Sequence, residues 1–265
     1  MWSLYWPTLL VVILFTLFER RFPLEADQPW RPWLFYIVWH TQLLAISVVL
    51  SWTVWGQFVT WLGASGQLSL LRMAAPQGLA GEVARVALAL LAHDFLMYWA
   101  HRLQHGVPVL WVLHQFHQDE RHVNASTSLR THWLSLMLTQ LMVMVPMMWL
   151  LGFEAMPPAA YVMLTTFVAI SHLNAKVGFG RFAALIVGPQ YHRVHHSPER
   201  RLHDRNFATV LPLWDIAFGT WAAPTGNRDR PLGLSYAVPS NSHRRVLVQP
   251  FVDWWRMARR AAVRI

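Results

Sequence analysis

Apolar residues run without a break along residues 2–18 and stop at the charged triplet Glu19, Arg20 and Arg21. Such a stretch is about as long as a helix that crosses a bilayer, so the pattern predicts a first spanning helix. A cleaved signal peptide would carry a basic region before the apolar stretch and a small-residue cleavage site after it. Neither feature is present, so we expect the anchor to be retained.

Long apolar stretches predict further spans at residues 33–55, at 82–98 and beyond, at 133–153 and at 157–176. Residues 56–81 are broken by Gly and Pro, which indicates a loop or a partly embedded turn. A very short turn joins the last two spans into a helical hairpin. The predicted fold is therefore an all-α integral membrane helical bundle with about four to five transmembrane spans, forming a single membrane domain over residues 1–265.

The composition supports a protein solvated by lipid. Hydrophobic residues make up 55% of the chain and charged residues 13%, whereas soluble domains carry about a quarter charged residues. The sixteen Trp are typical of membrane interfaces. The formal charge of +9 comes from residues between and after the apolar stretches, which favours anionic membrane lipids as partners and argues against nucleic acid.

The arginines also predict an orientation. Those between and after the predicted spans fall on one side of the membrane if the N-terminus lies outside, and the positive-inside rule makes that side cytoplasmic. We expect an integral protein of a bacterial inner membrane. Residues 252–265 predict a basic amphipathic helix on the membrane surface, with the C-terminus cytoplasmic.

Histidine carries the candidate chemistry. The chain has fourteen His and no Cys, so a transition metal would be held by imidazole and carboxylate. Asp94, Tyr98, His101 and His105 lie within a helical stripe roughly 60° wide. One helix face therefore offers two imidazoles, with a carboxylate that can orient a ligand through its other ring nitrogen.

Two more histidine clusters follow on the same predicted side of the membrane, so the bundle is expected to carry a cytoplasmic, histidine-rich helical cap. Eight imidazoles are the predicted ligands, more than one tetrahedral zinc needs and about what two metals would use. These ligands are His101, His105, His114, His117, His172, His192, His195 and His196. Supporting or weaker candidates are His93, Asp94, Gln118, His122, His132, Asn174, Asp204 and Asn206.

Two other classes of histidine protein fit the sequence less well. A membrane b-type cytochrome needs His pairs at facing mid-span positions, but His105, His114 and His117 lie outside the spans. A membrane zinc hydrolase would have His-Glu-x-x-His or a comparable motif with a general base, and none occurs. No catalytic acid, base or nucleophile is predicted.

The order of these motifs resembles the fatty acid hydroxylase and sterol desaturase superfamily of membrane-bound di-iron oxygenases. Its pattern is a His-x(3 or 4)-His box and two His-x-x-His-His boxes, followed by Asp-x-Asn and Leu-Trp-Asp-x-x-Phe-Gly-Thr. The sequence has matching residues at 94–105, 114–132, 192–196, 204–206 and 213–220. The resemblance covers roughly residues 85–221, which form the predicted histidine-box core.

The resemblance implies O2-dependent oxidation of a C–H bond of a lipid, such as a fatty acyl, sterol or isoprenoid chain, at two irons per chain. Hydroxylation and desaturation share the first hydrogen abstraction, so both stay open. No fused cytochrome or ferredoxin segment is present, so electrons are expected from a separate ferredoxin or cytochrome with its reductase. Zinc can occupy such sites in overexpressed protein.

Gln118 is one departure from the family pattern, because it stands where the second box normally has its last His. Glutamine is a poorer ligand for iron than imidazole. The centre could then hold two metals with an altered ligand, hold one metal firmly, or belong to a degenerate member with a structural or regulatory role. His122, four residues on, is a possible substitute ligand.

Overall fold

The computed structural model describes residues 2–29, 78–151, 156–224, 231–236 and 243–262, together with single positions between 35 and 61. Regular structure within these residues is helical, apart from one isolated antiparallel bridge between Pro23 and Ala175. The helices are α1 Trp2–Arg21, α2 Gly78–Gly106, α3 Pro108–Gln118, α4 Trp133–Leu151, α5 Pro158–Ser171, α6 Pro189–His195, α7 Leu213–Ala217 and α8 His243–Ala262. Short 3-10 turns cover Ala125–Leu129, Gly180–Ala184 and Arg200–Leu202.

The predicted all-helical fold is confirmed for these residues. Helices α1, α2, α4 and α5 fall on four of the five predicted spans. The span predicted at 33–55 and the loop at 56–81 lie largely outside the described residues. Among the described helices, α4 is both long enough and apolar enough to cross a membrane, and α5 is apolar but shorter. The number of spans stays a prediction.

Small residues bring the long helices together. Ala89 and Ala100 of α2 pack with Val143 and Met147 of α4 and with Ala160 of α5, because small side chains let helix backbones approach closely. The opposite faces remain apolar and open, and α1 exposes Leu10, Ile13, Leu14, Leu17 and Phe18. An exposed apolar face of this extent is typical of contact with lipid or a partner protein.

The turn between α2 and α3 shapes the histidine-rich end of the bundle. Helix α2 ends at Gly106, and α3 starts at Pro108. Proline suits the first helical position because its missing N–H would have no intrahelical partner there. This abrupt reversal places the last turns of α2 beside α3, so histidines from the two helices can meet.

Two buried carboxylates hold the segment that follows α6. Asp94 accepts hydrogen bonds from the backbone N–H groups of Thr209, Val210 and Leu211 and from the Trp214 indole. Asp215 accepts the N–H groups of Phe207 and Ala208 and the hydroxyls of Tyr191 and Thr220. Because buried carboxylates require such partners, these two residues fix residues 207–211 against α2.

Candidate metal centre

The first group of histidines collects side chains from three helices. His101 and His105 come from α2, His114 from α3 and His195 from α6, and their ligating nitrogens lie within 4.8 Å of one another. The Nε2 atom of each ring is buried and has no hydrogen-bond partner. Four buried, unpartnered nitrogens that converge on one point are the arrangement that a metal ion satisfies.

The second group consists of His117, His172, His192 and His196. The Nε2 atom of His172 lies 3.4 Å from that of His117 and 3.0 Å from that of His192. His196 Nε2 lies 3.0 Å from His192 Nε2. Ligands about 2.1 Å from one ion are about 3.0 Å apart at right angles and about 3.4 Å apart at the tetrahedral angle. The nitrogens of the second group therefore have the spacing of a ligand set.

The two groups are immediate neighbours because α3 and the segment of α6 with its C-cap His196 contribute to both. The ring centroids of His114 and His117 are 5.4 Å apart, and those of His195 and His196 are 5.5 Å apart. In each pair one ring belongs to the first group and the other to the second. The arrangement fits two metal ions side by side.

One short segment orients three rings of the first group. His105 Nδ1 donates to the Asp204 carboxylate at 3.1 Å. His195 Nδ1 donates to the Arg205 carbonyl at 2.8 Å, and His101 Nδ1 donates to the Phe207 carbonyl at 2.9 Å. Because the proton sits on Nδ1 in each ring, Nε2 is left as the ligating atom, the usual arrangement around metal-bound histidine.

Left-handed backbone conformations give this segment its shape. Asp204 and Asn206 have φ values of 57° and 59°, a region that Asp and Asn adopt more readily than most other residues. Asn206 also fixes the turn, because its side chain bonds both the N–H and the carbonyl of Ala222 and donates to the Tyr191 carbonyl. This explains why an Asp-x-Asn sequence stands here: the turn aims the carbonyls on either side of Asn206 at the first group.

Backbone carbonyls also orient two rings of the second group. His117 Nδ1 donates to the Arg130 carbonyl at 3.1 Å, and His172 Nδ1 donates to the Val168 carbonyl at 2.8 Å. Arg130 is itself buried, with its guanidinium against the Phe116 ring and beside the Glu120 carboxylate. The second group thus takes its supports from separate parts of the chain.

Burial keeps the rings on the short helices neutral. Loss of solvent, reinforced by the neighbouring imidazoles, lowers the pKa of each of these rings well below its ordinary 6.5. These rings are His114 and His117 of α3, His192 and His195 of α6, and His196 directly after α6. Neutral imidazole is the form that binds a metal, so the described residues fit metal ions at both positions.

All eight imidazoles predicted as ligands lie in the two groups. The weaker histidine candidates His93, His122 and His132 lie in neither group. His122 is exposed, whereas His132 is fully buried and its Nδ1 accepts the Leu134 N–H. Asn174 bonds Glu25 and Arg193 and gives its backbone N–H to Glu19, so it ties the end of α1 to α6 beside the second group.

Asp204, rather than Asp94, is the carboxylate that orients a histidine of the first group. Asp94 was expected to orient a ligand on its own helix face, but its hydrogen bonds go to residues 209–211 and Trp214. Asp204 bonds His105 instead. The carbonyls of Arg205, Phe207, Arg130 and Val168 were missed, because a backbone acceptor leaves no trace in residue type. The Asp-x-Asn motif at residues 204–206 was the one sequence signal near two of these acceptors, the Arg205 and Phe207 carbonyls.

Gln118 lies beside the first group without belonging to either group. Its side-chain amide nitrogen donates to the His195 carbonyl at 2.8 Å. Its Oε1 atom is buried and has no hydrogen-bond partner. Each group therefore holds four imidazoles without a ligand from Gln118 or His122.

Comparison with known proteins identifies a family model for about half of the chain and relatives for about three fifths of it. Residues 86–220 match the family model described as fatty acid hydroxylase. Human alkylglycerol monooxygenase is 32% identical over 165 residues, which is 61% of this chain and 35% of that protein. Ornithine lipid hydroxylase OlsE of Rhizobium tropici is 27% identical over 169 residues, which is 63% of this chain and 50% of that protein. The chain thus spans between a third and a half of these relatives. No solved structure matches it.

Proposed function

This chain belongs to the fatty acid hydroxylase family, as its motifs predicted, and we propose that it is a metal-dependent oxidoreductase that hydroxylates a C–H bond of a lipid. The observation that carries the proposal is the pair of adjacent four-imidazole groups within the region that matches the family. The relatives are named monooxygenase and lipid hydroxylase, which supports hydroxylation over desaturation.

We propose two irons per chain, one in each group. Iron suits a set of neutral imidazoles, although zinc binds the same donors and can take the place of iron during purification. Bound iron would supply O2 activation and oxidation of an unactivated C–H bond. The balanced reaction joins one oxygen atom of O2 to the lipid carbon and reduces the other to water, using two electrons and two protons. A separate ferredoxin or cytochrome with its reductase is the proposed electron donor.

The chain's own residues fix the proton position in five of the eight rings. The Asp204 carboxylate and the Arg205 and Phe207 carbonyls keep the protons of three rings on Nδ1, and the Arg130 and Val168 carbonyls do the same in the second group. These five rings therefore present an unprotonated Nε2 to a metal ion. Burial of the ligating nitrogens of the first group also keeps bulk water away from them.

We further propose that the chain is an integral membrane protein whose metal centre lies on the cytoplasmic side. The exposed apolar face of α1 and the apolar helix α4 support this placement. The single membrane domain would then carry its histidine-box core at residues 85–221, with the substrate drawn from the bilayer. Acyl, sterol and isoprenoid chains stay open as the lipid skeleton.

Helix α8 supports the same placement through three distinct faces. One face docks on α3, where Trp254 donates to the Val109 carbonyl and Asp253 bonds Gln115. A second face exposes Leu247, Val248, Phe251 and Trp255, and the third exposes Arg256, Arg259 and Arg260. An apolar stripe flanked by arginines is typical of a helix at the surface of an anionic bilayer. The helix starts nine residues before the predicted 252.

The alternative of a degenerate, non-catalytic member depended on Gln118 leaving a metal short of ligands. Each group holds four imidazoles without Gln118, so the geometry supports the enzyme more strongly than the alternative.

Metal content and oxygen incorporation test the proposal together. Protein expressed with iron, purified in detergent without oxygen, should hold about two irons per chain. His101→Ala and His192→Ala should each lose one iron, because they disrupt different groups. His122→Ala is the matched control, since that exposed ring lies in neither group and its removal should leave both irons.

With a reductant and ¹⁸O2, the wild type should place ¹⁸O in a lipid. If His101→Ala and His192→Ala leave the iron content unchanged, the metal centre is refuted. If the protein holds two irons but oxidises no lipid of any head-group or chain class tested, the degenerate, non-catalytic alternative is favoured.

A further inference from the structure

A cavity of about 310 Å³ lies beside the first group of histidines. His105 and His195 of the first group, Trp111 of α3 and residues 233–236 line it. Its rim includes the exposed residues His203 and Asp204. This volume is at the lower end of the about 300–1,000 Å³ typical of small-molecule sites, so it can take the polar end of a lipid but not the whole molecule.

Gln118 lines this cavity and carries an unsatisfied acceptor. The residue is 4% exposed, and its amide nitrogen is already used by the His195 carbonyl. That bond fixes which side-chain atom is the oxygen, and this Oε1 atom is buried without a partner. Buried carbonyl groups in native proteins rarely stay unpaired, so a ligand that donates a hydrogen bond would complete the site.

The rest of the lining fits the same kind of ligand. Ser197, Ser235 and Tyr236 contribute hydroxyls, and Asp204 contributes a carboxylate. Among the described residues that line the cavity, none is Arg or Lys. Among the described lining residues, the Asp204 carboxylate has no guanidinium or ammonium beside it to balance its charge, which disfavours an anionic ligand.

We propose that this cavity binds the polar end of the lipid substrate and that Gln118 Oε1 accepts a hydrogen bond from it. The head group is a hydrogen-bond donor without negative charge, such as a hydroxyl or an ammonium group. The inference rests on the proposed function, because it assumes that the ligand is the substrate. It also assigns a binding role to Gln118, the residue that departs from the family pattern.

Binding of four lipids with one chain length tests the proposal. Full-length protein loaded with zinc, which binds without turnover, is titrated in detergent with hexadecylglycerol, its di-O-methyl ether, hexadecylamine and hexadecyl phosphate. The wild type should bind the free glycerol and the amine at least about tenfold more tightly than the methyl ether, the effect of about one hydrogen bond, and should bind the phosphate most weakly. Equal binding of the free and methylated glycerol, or preference for the phosphate, would overturn the proposal.

Two substitutions separate the acceptor from the amide donor of Gln118. Gln118→Met removes both groups at similar size, so the preference for free over methylated glycerol should fall to within about twofold. Gln118→Glu keeps an oxygen but loses the N–H that bonds His195, so it should keep the preference for free glycerol and strengthen binding of the amine. If both substitutions abolish the preference equally, Gln118 acts through His195, and the acceptor role is refuted. Elemental analysis of each variant shows whether both metals are still held.

The binding assay and the oxygenation assay fail independently. Head-group selectivity without ¹⁸O incorporation by the iron form would refute the proposed hydroxylase while the binding site stands. Incorporation of ¹⁸O without head-group selectivity would refute this inference while the hydroxylase stands.

Discussion

Substitutions at Asp204 should weaken one metal and leave the other unchanged. The Asp204 carboxylate contacts His105 of the first group, and it sits in a left-handed conformation with φ of 57°. The hydrogen bond from His105 lowers the pKa of Asp204, as expected for a carboxylate that favours its charged form there. The residue thus contributes a charge, a hydrogen-bond acceptor and a backbone conformation.

Three substitutions remove these contributions in turn. Asp204→Asn keeps the acceptor and the left-handed preference and removes only the charge. Because the side chain is 70% exposed, solvent screens that charge, and we expect a loss of about 1 kcal/mol, or roughly fivefold in metal affinity. Asp204→Gly also removes the acceptor, and loss of a partner that orients a ligand lowers metal affinity about 10–100-fold. Asp204→Ala also removes the acceptor and, unlike Gly, has a Cβ that disfavours the left-handed conformation by about 1–2 kcal/mol. The Ala variant should therefore have the lowest metal affinity of the three.

Competition with a chelator measures this order. Protein loaded with two equivalents of zinc is dialysed against rising chelator concentrations, and the remaining metal per chain is determined by elemental analysis. The chelator concentration that removes the first metal should fall from the wild type to the Asn variant, then to the Gly variant, and should be lowest for the Ala variant. The second metal should leave at the wild-type concentration in every variant and serves as an internal reference. Simultaneous loss of both metals, or release by the Ala variant at the wild-type concentration, would contradict the assignment of Asp204 to the first group.

Other residues give shorter tests. Asp215→Ala leaves two buried backbone N–H groups without their acceptor, and thermal unfolding should show a loss of roughly 2–6 kcal/mol; an unchanged midpoint would count against the role of Asp215. Gly188→Ala would place a Cβ 2.6 Å from the Phe179 ring, so we expect a loss of about 1–3 kcal/mol that Phe179→Ala in the same chain largely restores. In nanodiscs of anionic lipid, α8 amides should exchange hydrogen more slowly than in neutral lipid; Arg256→Glu with Arg259→Glu should abolish the difference, and its persistence would argue against contact with anionic headgroups.

The eight imidazoles could be found from sequence because their chemistry depends on residue type and spacing. The division of these imidazoles between two groups could not be predicted from sequence. His114 and His117 lie one turn apart on the same helix, yet each joins a different group, since the choice depends on which ring of α2 or α6 packs opposite. Asp94 shows the same limit, because its helical position beside His101 suggested an orienting role, whereas tertiary packing directs it to residues 209–211.

The segment 204–207 has a consequence for the order of events during synthesis of the protein. His101 and His105 leave the ribosome before the residues that orient their rings, which lie about a hundred positions later in the chain. At about 5–20 residues per second, this interval is roughly 5–20 seconds. During it, the early histidines form an incomplete and unoriented set, since His195 is still missing. All four imidazoles of the first group, with the acceptors that orient three of them, are therefore available to a metal only after residues 195–207 have been synthesised.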